Sequence, residues 1–311
     1  MKVKSKAILG QISDMDLRLL QVFKAVVDCG GFTAAELELN IGISTISRHV
    51  KDLETRLGLT LCQRGRAGFM MTPEGQSLYS QTTLLLSAMD AFRAGVDDIH
   101  ARMGGELHIA WFEKTASNPS ANLAQALAVF TEQAPEVRLN LHVRPINEIE
   151  RGVMDGHYQI GIVPDHRPSK RLRYDPLFSE QMHLYCGTQH PLIGRDQTRL
   201  NWKDLGQFAL AGLAYHSPNM QMSHRTGLRR QANAFDQEGL AALILSNRFI
   251  GFLPTHYAEP FIDRGKMIAI EPSRFNYEAR FFSIVRRSPQ PSRAAELFRH
   301  CLVKAHQPLD V

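Results

Sequence analysis

From Leu78 onward a core-type side chain recurs at Leu78, Thr82, Leu85, Met89, Phe92, Val96, Ile99 and Met103, in alternating steps of four and three. That spacing is the heptad seam of a coiled coil, and no other stretch restricts the fold so strongly. Pro73 suits a first helical position and Gly104–Gly105 a stop, so one helix is predicted from about Pro73 to Arg102. A lone helix of that length has no means of burying such a stripe. It packs either on the next part of the chain or on a second copy of itself, and pairing with a second copy is the favoured reading. Leu78, Leu85, Met89, Phe92, Val96 and Ile99 are then the dimerisation residues.

Upstream, "DLRLLQVFKAVVDCGG" places Leu17, Leu20, Phe23 and Val27 on one helical face and ends in a glycine pair. "FTAAELELN" follows, with Thr33 placed to cap a short second helix. "GISTISRHVKDLETRLG" then carries Ile46, Val50, Leu53 and Leu57 as a core-seeking stripe. Off that stripe lie Ser44, Thr45, Ser47, Arg48 and Lys51, hydroxyls and cations in one patch. "LTLCQRGRAGFMMT", with Gly65 and Gly68, reads as a hairpin. Three short helices and a hairpin describe a winged helix-turn-helix, whose third helix enters the major groove of duplex DNA. In that reading Arg48 meets guanine through two parallel bonds, the hydroxyls meet base edges or phosphates, and Lys51, Arg64 and Arg66 hold phosphates. Charge alone argues weakly. Arg48, Lys51, Arg56, Arg64 and Arg66 face only Asp52 and Glu54 across residues 42–66, yet most hydroxyl-and-cation faces are merely solvated.

The order and spacing of these elements, from "DLRLLQVF" through "STISRHVKDLETRLG" to "MTPEG", resemble the DNA-binding domain of LysR-type transcriptional regulators. The resemblance covers the first seventy-odd residues. It departs at Glu36, where the family usually has a second alanine, and at Ile43, where it has a polar residue. Ile43 would then touch a thymine methyl in place of a polar base contact. The resemblance implies an α+β two-part chain: an N-terminal winged helix-turn-helix over 12–72, a linker and dimerisation helix over 73–104, and an effector-binding domain over 105–311. It further implies promoter DNA as partner, a homodimer through the linker helices, and assembly of two dimers into a homotetramer.

The remaining two hundred residues alternate strand and helix, from "LHIAW" and "VRLNLHV" to "FIGFLP", "ARFFSIV" and a last helix near Arg293–Ala305. Such alternation argues a parallel or mixed α/β sheet with helices on both faces. The resemblance implies a periplasmic-binding-protein-like effector domain of two Rossmann-like lobes. Lobe I is placed at about 106–164 and 271–311 and lobe II at about 165–270, with "VPDHRPSKR" as the hinge. In open α/β sheets ligands bind beyond the carboxyl ends of strands, at helix N-termini. "FEKTASNPS" and "LAYHSPN" sit at such places, so Thr115, Ser117, Asn118, His216, Ser217 and Asn219 are the candidate effector contacts. Arg144, just past a strand, is a candidate for a carboxylate. The expected effector is a small organic acid or another polar metabolite. The plain alternative is that the Ser and Asn are helix caps and that His216 and Arg144 are surface residues.

Composition bounds the rest. With 44% hydrophobic and 22% charged residues the chain is globular in character, and a formal charge of +5 is only mildly basic. The start "MKVKSKAILGQISD" lacks the apolar core of a signal peptide, and no run of about 18 apolar residues occurs. Cys29, Cys62, Cys186 and Cys301 form no C-x-x-C pair. A cytoplasmic location with reduced thiols and no membrane contact is expected. No phosphate-binding glycine loop, nucleophile elbow or metal-binding histidine motif is present, so neither an enzyme nor a cofactor or metal is expected. The DNA module opposes a transport-type binding protein. Two further readings stay open: a constitutive DNA-binding regulator without ligand, and a thiol- or oxidant-responsive one.

Overall fold

The computed structural model describes residues 11–65, 68–99, 103–165, 167–196 and 199–307. The chain divides into two compact units between Asp90 and Ala91.

The first unit contains α1 (Asp14–Asp28), α2 (Phe32–Leu39), α3 (Ile43–Leu57), a hairpin of β1 (Cys62–Gly65) and β2 (Gly68–Met71), and the start of α4 (Pro73–Ile99). Ser13 and Asp16 form a reciprocal cap on α1: the Asp16 N–H donates to the Ser13 hydroxyl, and the Ser13 N–H donates to the Asp16 carboxylate at 2.8 Å. The Ser13 hydroxyl bond holds the Asp16 carboxyl below the ordinary range, and Arg56 donates to the same carboxylate from α3. Leu19, Leu20 and Phe23 of α1 meet Leu53, Leu57 and Leu61, while Val22 and Val26 meet Phe32, Ala35, Ile46 and Val50. The buried face of α1 is thus turned from the one read in the sequence, with Leu17 and Val27 only half-buried. The expected cap at Thr33 is corrected. α2 starts two residues earlier than a Thr33 cap requires, Gly31 occupies the cap position, no side chain caps it, and Thr33 is exposed.

Gly75 shows why "TPEG" ends as it does. Thr72 caps α4 through the Gly75 N–H at 2.9 Å, and a Cβ on Gly75 would collide with the backbone carbonyl of Leu61. That carbonyl is already engaged, accepting from the Thr72 N–H. Gly75→Ala is expected to lower the stability of this unit by about 1–3 kcal/mol, as overpacking does. Urea unfolding checks it, and an unchanged midpoint would contradict the packing described.

The seam of α4 is shared out unevenly. Leu78 and Leu85 pack half-buried against the α1–α3 core, and Thr82 is buried. In the second unit Met103 packs on that unit's own core. Between them Phe92 is 74% exposed and Val96 38%. The expected single continuous stripe is therefore corrected: part of it already has an intramolecular partner.

The second unit is built on one mixed sheet in the order β10-β6-β11-β5-β3-β4, with β9 also paired to β6. Its strands are β3 (Gly105–Trp111), β4 (Val137–Val143), β5 (Ile160–Pro164), β6 (Leu172–Gly187), β9 (Gly251–Pro254), β10 (Met267–Ala269) and β11 (Asn276–Arg286). β7 (Leu210–Leu213) and β8 (Arg230–Ala234) pair in parallel and join β9 through a bridge from Leu210 to Ile250. The helices are α5 (Leu123–Gln133), α6 (Ile146–Asp155), α7 (Trp202–Leu205), α8 (Pro218–Thr226), α9 (Gln237–Leu245), α10 (Thr255–Asp263) and α11 (Arg293–Ala305).

β6 and β11 are long because each serves both lobes. Phe282–Arg286 pairs with Leu172–Pro176, and Asn276–Arg280 pairs with Ser179–His183, with a register shift between Arg280 and Phe282. The first lobe has β3, β4 and β5 on this pair, and the second has β7, β8, β9 and β10. The crossover between lobes therefore lies at Pro176–Ser179 and Arg280–Phe282. The expected hinge at 163–171 is corrected, since it falls in the connection from β5 to β6. A bulge suits a crossover because it adds local twist without breaking the ladder.

Candidate nucleic-acid interface and ligand cleft

In the first unit α3 is two-faced. Ile46, Val50, Leu53 and Leu57 are 0–5% exposed, while Ser44, Arg48 and Lys51 are exposed and Thr45 and Ser47 half-buried. Neither Arg48 nor Lys51 has an ion-pair partner among the described residues. Arg56, by contrast, is committed to Asp16, so the cations of this segment separate into one structural and two outward-facing groups. Ile43 is half-buried against the core, which limits the contact expected of it. Its N–H donates to the Glu36 carboxylate at 3.3 Å, so Glu36 anchors the start of α3 from α2. Glu54 accepts from the Leu61 and Cys62 N–H groups and ties the hairpin to α3. Arg64 lies in β1 opposite Phe69, and Arg66 lies outside the described residues.

In the second unit a cleft with about 260 Å³ of open space lies where strands β3, β5 and β7 end and helices α6, α8 and α9 begin. This is the location topology predicts for ligands. Phe112, Met182, Leu213 and Ala279 give it apolar walls, and Glu180, Ser217, Asn219, Gln237 and Tyr277 give it polar ones. Of the residues proposed from sequence, Ser217 and Asn219 line it. Ser217 caps α8 by accepting from the Met220 N–H, and Asn219 accepts from the Leu213 N–H and donates to the Phe252 carbonyl. Thr115 is buried and donates to the Phe112 carbonyl. Asn118 donates to Glu180 at 3.4 Å, one step behind the wall. Ser117 is exposed and pairs with His256 at 3.2 Å. His216 and Arg144 are exposed and off the lining, and Arg144 donates back to the Val143 carbonyl.

The sequence reading missed Glu180, Gln237, Tyr277, His256 and Glu113. Glu180 is 7% exposed; burial pushes its carboxyl above the ordinary range, opposed by His256 at 3.2 Å. A carboxylate among the apolar residues of "LFSEQMHLYCG" was the signal that could have found it. Burial likewise raises the Tyr277 phenol.

Glu113, just beyond β3, stitches the lobes by accepting from the Gln237 N–H at 2.8 Å and the Tyr215 hydroxyl at 3.5 Å. Lys114 adds a 2.6 Å pair to Glu238. Burial raises the Glu113 carboxyl to about 7 from 4.5. The folded state therefore holds more protons than the unfolded one between those values, and stability falls as pH rises through that window. At 1.36 kcal/mol per unit the span is at most about 3 kcal/mol. Glu113→Gln is expected to flatten the slope and raise the thermal midpoint at about pH 8 relative to wild type. Parallel slopes in the two proteins would refute this.

Cys29, Cys186 and Cys301 offer no poised nucleophile of the kind a redox switch needs. Burial raises Cys186 to about 12, and Cys29 and Cys301 are also raised by burial first.

Comparison with known proteins completes the picture. Residues 17–76 match the model of the bacterial regulatory helix-turn-helix protein, lysR family, and residues 100–307 match the LysR substrate binding domain. The HTH-type transcriptional activator BauR of Pseudomonas aeruginosa is 40% identical over 290 residues, covering 93% of this chain and 95% of that protein. The SDS degradation transcriptional activation protein of a Pseudomonas species is 26% identical over 292 residues, covering 91% and 94%. Among solved structures, CbnR, a LysR family transcriptional regulator, superimposes with a TM-score of 0.63 at 18% identity, covering 94% of this chain and 99% of that one. Full-length CbnR complexed with its target DNA gives 0.60 at 19% identity, covering 93% and 99%.

Proposed function

The chain belongs to the LysR family of transcriptional regulators, and from that membership we propose how its parts divide the work. It is a regulator with an effector-binding domain and not an enzyme. The outward face of α3, with Ser44, Thr45, Ser47, Arg48 and Lys51, reads promoter DNA in the major groove. Arg64 and Arg66 grip phosphates on the flank. The observation that carries this is the division of α3 into a fully buried apolar stripe and an exposed hydroxyl-and-cation face.

Residues 73–104 serve as linker and dimerisation segment, and the exposed Phe92 and Val96 are what a second copy covers. Two-fold pairing sets two recognition helices on one pseudo-palindromic site, about one helical turn apart. A tetramer of two such dimers is the assembly we expect, working in the cytoplasm; no helix among the described residues is long and apolar enough to cross a membrane. The cleft between lobes holds a small polar effector. Binding shifts the populations of two arrangements, which it does only through unequal affinity for them. The cleft at the carboxyl ends of β3, β5 and β7, with apolar and polar side chains in its walls, supports a liganded regulator over a constitutive one.

The test is selection of duplexes from a random library by the purified protein, followed by mobility shifts on the winning sequence. Enrichment of a two-fold symmetric site is expected. Failure to enrich any sequence at low ionic strength would overturn the reading.

A further inference from the structure

The connection from β5 to β6, read in the sequence as a hinge, is left without that task, and its charge is one-sided. Residues 167–171 carry Arg167, Lys170 and Arg171, residues 286 and 287 are both arginine, and neither segment holds an acid. The fold brings the two together. Arg286 pairs with Leu172 across the β6–β11 ladder, and the Arg287 N–H donates to the Arg171 carbonyl at 2.9 Å. Arg167, Lys170, Arg171 and Arg287 are exposed, and Arg286 is half-buried. The Ser169 N–H donates to the Tyr174 hydroxyl at 3.0 Å and the Arg287 guanidinium to the Leu172 carbonyl at 3.0 Å, so the turn is held in place. Carboxylates around the patch are spent elsewhere. Asp165 holds Arg280, Asp175 and Glu296 hold Arg173 and Arg299, and Glu150 accepts from the Tyr174 hydroxyl. The five cations have no ion-pair partner among the described residues. Burial pushes the Arg286 guanidinium below its ordinary range with no carboxylate opposing it. The Arg173–Glu296 pair at 2.8 Å sets the first turn of α11, the positive end of its dipole, against the same strand. Grouped like charges repel, so the cluster works against the compact state until a polyanion covers it.

We propose that this patch is a second DNA-contacting surface, taking backbone phosphates of the duplex outside the half-sites read by α3, an inference that rests on the reading of the chain as a DNA-binding regulator. Four of the five cations are arginines, whose planar fork matches phosphate. Among the described residues, no exposed large hydrophobic side chain lies in 165–175 or 283–293. The patch therefore lacks both the apolar core of a protein interface and the stacking platform of a single-strand binder. Phosphate contacts of this kind position a duplex and carry no sequence information.

The test uses the full-length protein and two duplexes: the selected site alone, and the same site extended by random sequence on both sides. Affinity is measured across a series of salt concentrations. On the extended duplex the Arg167→Ala, Lys170→Ala, Arg171→Ala triple variant is expected to lower the salt slope by about 3 for each subunit that engages the flank. Its affinity at about 0.15 M salt should fall roughly 10–100-fold. On the short duplex it should match wild type. Two further triple variants separate the contact from other causes. Arg167→Lys, Lys170→Arg, Arg171→Lys keeps the charge and should keep the wild-type slope. Lys203→Ala, Arg264→Ala, Lys266→Ala removes as much exposed charge elsewhere on the second unit and should also keep it. An unchanged slope in the first triple variant, or an equal loss in either of the other two, overturns the proposal. Wild-type binding to the short duplex, retained alongside an overturning result, leaves the regulator reading in place. Its absence removes that reading and the patch with it.

Discussion

Phe92→Asp is expected to convert the assembly to a 35.0 kDa monomer and to weaken binding to the selected duplex by roughly 10²–10⁴-fold, the range by which linked sites exceed single ones. The effect stems from what α4 leaves uncovered. Its early seam positions Leu78 and Leu85 lie against their own core. Phe92 has no such cover and stands 74% exposed. An aromatic side chain of this kind gains about 1.5–3 kcal/mol when buried, and twice that across a two-fold axis. A carboxylate there faces its own copy, so repulsion and desolvation replace that gain. Because the position is exposed within the chain, the unfolding midpoint of the isolated subunit should not move. Light scattering that still shows dimers would rule α4 out as the seam of assembly.

Arg48→Ala is the second large effect, and it concerns discrimination more than affinity. An arginine paired with a guanine edge through two bonds contributes about 1–3 kcal/mol against the wrong base. In a dimer the loss applies at both half-sites. The ratio of selected to random duplex affinity should therefore fall by at least about tenfold. Arg64→Ala is the contrast: removing a phosphate-binding cation there weakens both duplexes alike and lowers the salt slope by about 1. Arg48 has no ion-pair partner among the described residues, so its removal leaves no orphaned charge to confuse the result. Arg56→Ala is the wrong variant to compare, since it strips a partner from Asp16 and disturbs the packing of α1 on α3.

Elements whose own periodicity exceeds local noise were readable from the chain. The α3 stripe of Ile46, Val50, Leu53 and Leu57 is buried as its spacing demands, and β4 spans "VRLNLHV" as read. Segments whose structure depends on distant partners were not. The first half of β6 carries Pro176 close after Arg173 and Asp175, and it is a strand only because β11 pairs with it about a hundred residues later. α10 holds Pro260 inside it, and α8 is polar with little apolar rhythm. The cleft was located by topology alone, since strand ends and helix starts converge there. Its distinctive groups were not, because Glu180 finds Asn118 62 residues away and His256 76 away. Glu36 is similar in kind: in sequence it departs from a family pattern, and in space it accepts from the Ile43 N–H at the start of α3.

Methylation protection on the complex with the selected duplex bears most directly on the claim that the Ser44–Arg48–Lys51 face of α3 lies in the major groove. Dimethyl sulfate reports guanine N7, which lies in that groove and accepts from arginine. Protection of guanine N7 in each half-site by the wild-type protein, lost at one guanine per half-site with Arg48→Ala, is the expected result. Guanines left fully reactive in the bound complex, or protection identical in the variant, would contradict it.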